Sequence, residues 1–170
     1  MGRLAAIPTV VAIKLPLLQS GDIAFDIADF RQAAPTLSIG YSGDWGCKEA
    51  LLAGADGWYS VAAGLFPAQA SALTAAAMKG DRDQADRHDA GFATLWELFR
   101  AHGSLRLTYA VANMLGLTDA QPPRPLLGAD ENLRKQLASV LSTVELILQI
   151  RIAVSFTLHF ATVATKFRPD

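Results

Sequence analysis

Between Pro8 and Gly64 short apolar runs alternate with longer mixed stretches, and this alternation restricts the chain to parallel β/α architecture. Val10-Val11-Ala12-Ile13-Lys14-Leu15 is a β-branched run that reads as a buried strand. Gly21-Asp22 opens a helix, with Asp22 placed to cap it and Ile23, Ile27 and Phe30 recurring at helical spacing until Pro35. Leu37-Ser38-Ile39-Gly40-Tyr41 gives a second strand that closes in the turn Ser42-Gly43-Asp44. Residues 46–53 form a short helix that Gly54 stops. Gly57-Trp58-Tyr59-Ser60-Val61 gives a third strand, and Gly64 and Pro67 lead into the next helix. The strands read as apolar on both faces, as a covered parallel sheet requires.

From Pro67 onward the pattern is helical. Residues 68–79 form one helix that stops at Gly80. Residues 81–102 form a second, with Phe92, Leu95, Trp96 and Phe99 on one stripe and Gly103 as its stop; residues 105–117 form a third. Gln121-Pro122-Pro123-Arg124-Pro125 cannot be helical and marks a linker. A fourth helix begins near Ala129 or Asp130 and runs to about Leu148. Residues 150–165 mix Thr, Val, Ile and Phe without a clear period, and a prolonged helix and a strand fit them equally. The chain therefore reads as a β/α part over 1–80, a helical region over 81–148 and an atypical tail over 149–170.

Charge and cysteine usage narrow the function classes. The 170 residues are 51% hydrophobic and 18% charged, a globular composition, and the net charge is −1. Lys and Arg are scattered singly, so no nucleic-acid surface is expected. Cys47 stands alone, which rules out an internal disulfide and makes a reducing, cytoplasmic compartment the default. No secretory leader pattern is read at the start. Residues 152–165 carry no formal charge but include Ser155, Thr157, His159 and Thr162, and fall short of the roughly 20 residues a membrane span needs.

Lys14 is the first candidate for chemistry. The end of an apolar strand is a costly place for an ammonium group; desolvation favours the neutral amine, the form that attacks a carbonyl. The C-terminal ends of parallel barrel strands are also where such folds keep their active sites. The plain alternative is a lysine that snorkels from a strand end into water. Ser42-Gly43-Asp44 and Ser60 end the second and third strands and would lie at the same end of the sheet as Lys14. The glycine lets backbone approach a ligand closely; the plain alternative is an ordinary turn with Asp44 capping the following helix. Trp45, Trp58 and Tyr59 suit a substrate pocket or the core. His88, His102 and His159 have no metal-ligand spacing, Cys47 has no His or Cys neighbour, and no phosphate-binding loop, dinucleotide fingerprint or nucleophile elbow is present.

The order of these segments resembles one family. Ile7-Pro8-Thr9-Val10-Val11-Ala12-Ile13-Lys14 is similar to the sixth strand of the dihydrodipicolinate synthase / N-acetylneuraminate lyase family, with Ser20-Gly21-Asp22 as its following Gly-Asp. Tyr41-Ser42-Gly43-Asp44 resembles the end of the seventh strand, and residues 50–63, ALLAGADGWYSVAA, the eighth-strand signature. Gly80-Asp81 and Gln121-Pro122-Pro123-Arg124-Pro125-Leu126-Leu127 match later segments in order, so the resemblance covers about residues 4–141. It implies an α/β fold: the last three parallel strands of a partial (β/α)8 barrel followed by C-terminal helices. It also implies a class I aldolase that needs no metal or organic cofactor. Lys14 would form a Schiff base with pyruvate or a related 2-keto acid, and Ser42, Gly43, Asp44, Tyr59 and Ser60 would lie beside the substrate.

Some features depart from the family. Leu15-Pro16 stands where an acidic residue more often follows the lysine, and Trp45, Trp58 and Tyr59 are bulkier than usual. A complete barrel needs about 250 residues. The family's first five strands, with the groups that hold the keto-acid carboxylate and a proton-shuttling tyrosine, have no counterpart here. A part-barrel has open sheet edges, so self-association into a homo-oligomer is expected. The competing expectation is an inactive remnant serving as a structural or interaction domain. An unrelated doubly wound binding domain would need a phosphate-cradling loop, and none is read.

Overall fold

The computed structural model describes residues 2–17 and 22–142. The chain divides into two units, Met1–Ala129 and Asp130–Asp170, and Gly80 falls inside the first as a helix stop. After a single helical turn α1 (Gly2–Ala5), three strands form one parallel sheet in chain order: β1 (Ala12–Pro16), β2 (Ser38–Ser42) and β3 (Gly57–Trp58). Helices α2 (Ile23–Ala33) and α3 (Cys47–Leu52) make the two crossovers, as the alternation of segments predicts.

Local chemistry sets these boundaries. The Asp22 side chain accepts from the Ala24 amide at 2.8 Å and starts α2 as a cap. Gly54, at φ +100°, reverses the chain after α3, a conformation that strains any residue carrying a Cβ. The third strand is shorter than its apolar run suggests. Tyr59 still donates its amide to the Tyr41 carbonyl at 2.8 Å, but the amides of Val61 and Ala62 turn away to the Asp44 carboxylate.

Among the described residues, the core of the sheet forms on the face that α2 and α3 cover. Ile39 and Tyr41, each 1% exposed, project from β2 into a core with Ile27, Ala50 and Ala55, and Ile13 and Leu15 join it from β1. Full burial of one such side chain contributes about 1.5–3 kcal/mol. The Tyr41 hydroxyl donates to Asp26 Oδ2 at 2.8 Å, and burial first, then this carboxylate, raise the phenol well above its ordinary range. On the opposite face Ala12, Lys14 and Pro16 are exposed. The expectation of strands buried on both faces fails for β1, because nothing among the described residues covers that side.

A second apolar group lies among α4 (Pro67–Met78), α5 (Arg82–Ala90), α6 (Ala93–His102) and α7 (Ser104–Met114). The expected single helix over 81–102 is broken at Gly91-Phe92. Glycine is a weak helix former, and the break turns Phe92 inward to stack on Trp96 at 4.7 Å. Asp89 Oδ1 accepts from the Trp96 indole at 2.9 Å. Lys48 of α3 reaches Asp86 of α5 at 2.6 Å. Burial would lower its pKa, but Asp86, Glu49 and Asp89 hold the ammonium well above its usual value.

In the second unit helical backbone runs over 131–142 as α8, and Asp130 Oδ1 accepts from the Leu133 amide at 2.8 Å. The end expected for this helix, the tail over 149–170 and His159 lie outside the described residues. Among the described residues no helix is long and apolar enough to cross a membrane.

Candidate active site

The open face of the sheet carries the candidate site. In register, Lys14 of β1 sits beside Gly40 of β2, and Gly40 beside Gly57 of β3. The row is almost free of side chains, so the Tyr59 ring lies down across it. A Cβ built on Gly40 would stand 2.5 Å from Tyr59 Cε2. The Lys14 Nζ is 5.8 Å from the centroid of this ring, within reach of a cation–π contact.

The turn after β2 forms the rim. Ser42 Oγ donates to the Leu15 carbonyl at 3.3 Å, and the Leu17 amide donates to the Ser42 carbonyl at 3.2 Å. Gly43 is required twice: its φ is +110°, and an added Cβ would sit 2.6 Å from Leu17 Cδ1. Asp44, 2% exposed, accepts from Trp58 Nε1 at 3.0 Å, from the Val61 amide at 3.1 Å and from the Ala62 amide at 2.9 Å. The carboxylate therefore ties the turn after β2 to the loop after β3, and does not cap α3 as the plain reading of the turn held.

These groups border one cavity of about 610 Å³. Lys14 and Pro16 line it from β1 and Leu17 from just after it, Ser42, Gly43, Asp44 and Trp45 from the second turn, and Tyr59 and Val61 from the third. Arg100 and Ser104 complete it from the end of α6 and the start of α7. Lys14, Ser42, Gly43, Asp44 and Tyr59 are thus brought together.

Ser60 is not among them. Its Oγ accepts from the Ala63 amide at 2.8 Å, and the residue borders a separate depression with Trp58, Ala70 and Thr74. Alternation along extended backbone explains this, since neighbours such as Tyr59 and Ser60 project to opposite sides. Trp58 is likewise committed to Asp44 and, edge-on at 6.3 Å, to Trp96.

The desolvation expected around Lys14 is not supplied by the described residues, which leave this side chain exposed. Arg100 and Ser104 were missed by sequence reasoning. Arg100 stands next to the buried Phe99 on α6, and no local pattern tells that this helix ends beside the strand tips. Among the described residues, no three of His, Cys, Asp and Glu gather in a way that could hold a metal ion. Cys47 is buried, and burial, followed by the charges of Asp89 and Asp44, raises its thiol far above the reactive range.

Comparison with known proteins gives a consistent result. Residues 1–144 match the model of the Dihydrodipicolinate synthetase family. A 4-hydroxy-tetrahydrodipicolinate synthase of Synechococcus elongatus is 33% identical over 148 residues, 86% of this chain and 48% of that protein. The crystal structure of a dihydrodipicolinate synthase from Agrobacterium tumefaciens aligns with a TM-score of 0.79 at 47% identity, covering 84% of this chain and 48% of that one. A chloride-inhibited dihydrodipicolinate synthase from Acinetobacter baumannii, complexed with pyruvate, aligns with a TM-score of 0.73 at 28% identity over 85% of this chain and 48% of that one. The chain spans about half the length of these relatives, and its fold is the corresponding part of their β/α barrel.

Proposed function

Because this chain belongs to the dihydrodipicolinate synthetase family, we propose that it carries the lysine-bearing part of a class I aldolase site, with Lys14 forming a Schiff base to pyruvate or a related 2-keto acid. The observation that supports this most is the meeting of Lys14, the Tyr59 ring and the Ser42–Asp44 turn on one cavity at the C-terminal ends of parallel strands.

In this reading the unprotonated Lys14 amine adds to the ketone carbon, and the carbonyl π electrons move to oxygen. Proton transfer and loss of water leave an iminium. The iminium draws electrons from the neighbouring carbon, which gives up a proton to form the enamine. The enamine carbon then attacks an aldehyde to make a carbon–carbon bond, and the reverse sequence breaks one. Tyr59 faces the charge that develops at the lysine nitrogen, where an aromatic ring stabilises a cation. Gly40 and Gly43 leave room for the keto acid against bare backbone. The same reading requires further walls to enclose Lys14 and to hold the keto-acid carboxylate. It includes assembly with another polypeptide, a second copy first, along the open sheet, and action in a reducing cytoplasm, in keeping with the lone buried Cys47. An inactive remnant is the poorer reading, since the stack of Lys14, Tyr59 and Gly40 contributes little to the core.

Borohydride reduction in the presence of pyruvate, followed by mass analysis, tests the proposal. A pyruvyl adduct is expected on Lys14 and none in Lys14→Ala. An adduct that persists in Lys14→Ala would move the chemistry to another lysine; intact protein that gives no adduct would end the proposal.

A further inference from the structure

Arg100 belongs to no part of the mechanism above, yet it borders the same cavity as Lys14. Its helix turn is anchored by the buried Trp96 and Phe99, so its backbone position is well supported. Among the described residues its guanidinium has neither a hydrogen bond nor an ion pair. Asp44, the carboxylate on the cavity wall, accepts from three N–H donors of its own loops and makes no ion pair with Arg100. Among the described residues the cavity lining carries two basic side chains, Lys14 and Arg100, and the one carboxylate of Asp44.

We propose that Arg100 is a specificity-determining residue that reads a second anionic group, a carboxylate or a phosphate, on the far end of the molecule whose ketone Lys14 engages. This inference rests on the Schiff-base reading. A planar guanidinium fork matches both groups with paired, charge-assisted bonds, which a lysine in the same place would not reproduce.

The test is borohydride trapping at graded concentrations of four keto acids on the parent chain, Arg100→Gln and Arg100→Lys. The probes are pyruvate, 2-oxopentanoate with a neutral tail, 2-oxoglutarate with a tail carboxylate, and 2-oxo-4-phosphonobutanoate with a tail phosphonate. The parent should reach half-saturation with an anionic-tailed probe at about ten- to a hundredfold lower concentration than with 2-oxopentanoate, the worth of a charge-assisted hydrogen bond. Arg100→Gln should erase that preference and leave pyruvate and 2-oxopentanoate unchanged, while Arg100→Lys keeps part of it. The probe that gains more identifies the group as carboxylate or phosphate. The inference is overturned if the parent shows no preference or if the preference survives in Arg100→Gln. An equal loss for pyruvate also overturns it, by putting Arg100 on the keto acid's own carboxylate. No adduct from any probe overturns the Schiff-base reading and this inference with it.

Discussion

The two faces of the three-stranded sheet do opposite things with the same backbone. Toward α2 and α3, Ile39 and Tyr41 are buried to 1% and join Ile27, Ala50 and Ala55 in a dry core. Toward the cavity, residues one position along the strands (Lys14, Gly40 and Ser42) stay small, polar or charged. Alternation along a strand keeps the two sets one residue apart without mixing them. One face therefore packs a core and the other is free to carry chemistry. Substitutions should separate these properties cleanly.

The largest expected effect is on the open face. Lys14→Ala should abolish the trapped pyruvate adduct while leaving the thermal midpoint nearly unchanged, because the side chain is exposed and absent from the core. A large drop in the midpoint would show that the faces are not separable. Ile39→Ala is the converse. It should cost about 2–5 kcal/mol of unfolding free energy by chemical denaturation, as truncation of a buried aliphatic does, while the folded fraction still traps pyruvate.

Asp44→Ala joins the two properties, because three donors lose one buried acceptor. A loss of about 1–3 kcal/mol in denaturant titration is expected, together with weaker trapping, since Gly43 and Tyr59 lie on the two loops that Asp44 connects. An unchanged adduct yield would detach the rim from the site.

The smallest effect lies on the helix side. Burial alone would raise the Asp56 carboxyl, but the Ile39 amide at 2.7 Å and the Arg31 guanidinium hold it below its ordinary value of 3.8. A depressed carboxyl gives stability that is present above that ordinary value and lost as pH falls through the lower folded value. Thermal midpoints measured below about pH 4 should therefore fall less steeply in Asp56→Asn than in the parent. Solvent screening of this partly exposed pair limits the difference to a fraction of a kcal/mol.

Much of this was legible in residue order. The β-branched run before Lys14, the Asp22 cap and the reversal at Gly54 each signal their element by local physics, and the parallel sheet follows from their alternation. The grouping of Lys14 with Ser42, Gly43, Asp44 and Tyr59 follows from all three strand ends facing one way. Ser60 borders a different depression because it alternates with Tyr59 along extended backbone, and its hydroxyl closes a turn on Ala63. Arg100 was invisible for a different reason. Its place beside the strand tips is set by tertiary packing of Trp96 and Phe99, which no short window of sequence encodes. The engagement of Asp44 with Trp58, Val61 and Ala62 is of the same kind, spanning up to 18 positions.

The single carboxylate of Asp44 also has a mechanical meaning. Strand pairing zips β2 to β3 over only two partnered positions, Gly40 with Gly57 and Tyr41 with Trp58. Past those rungs, Asp44 works as a rivet through two straps, so that the wall bearing Gly43 and the wall bearing Tyr59 shift as one rigid piece. Any motion that widens the mouth must then carry both walls together or shear all three of its bonds at once.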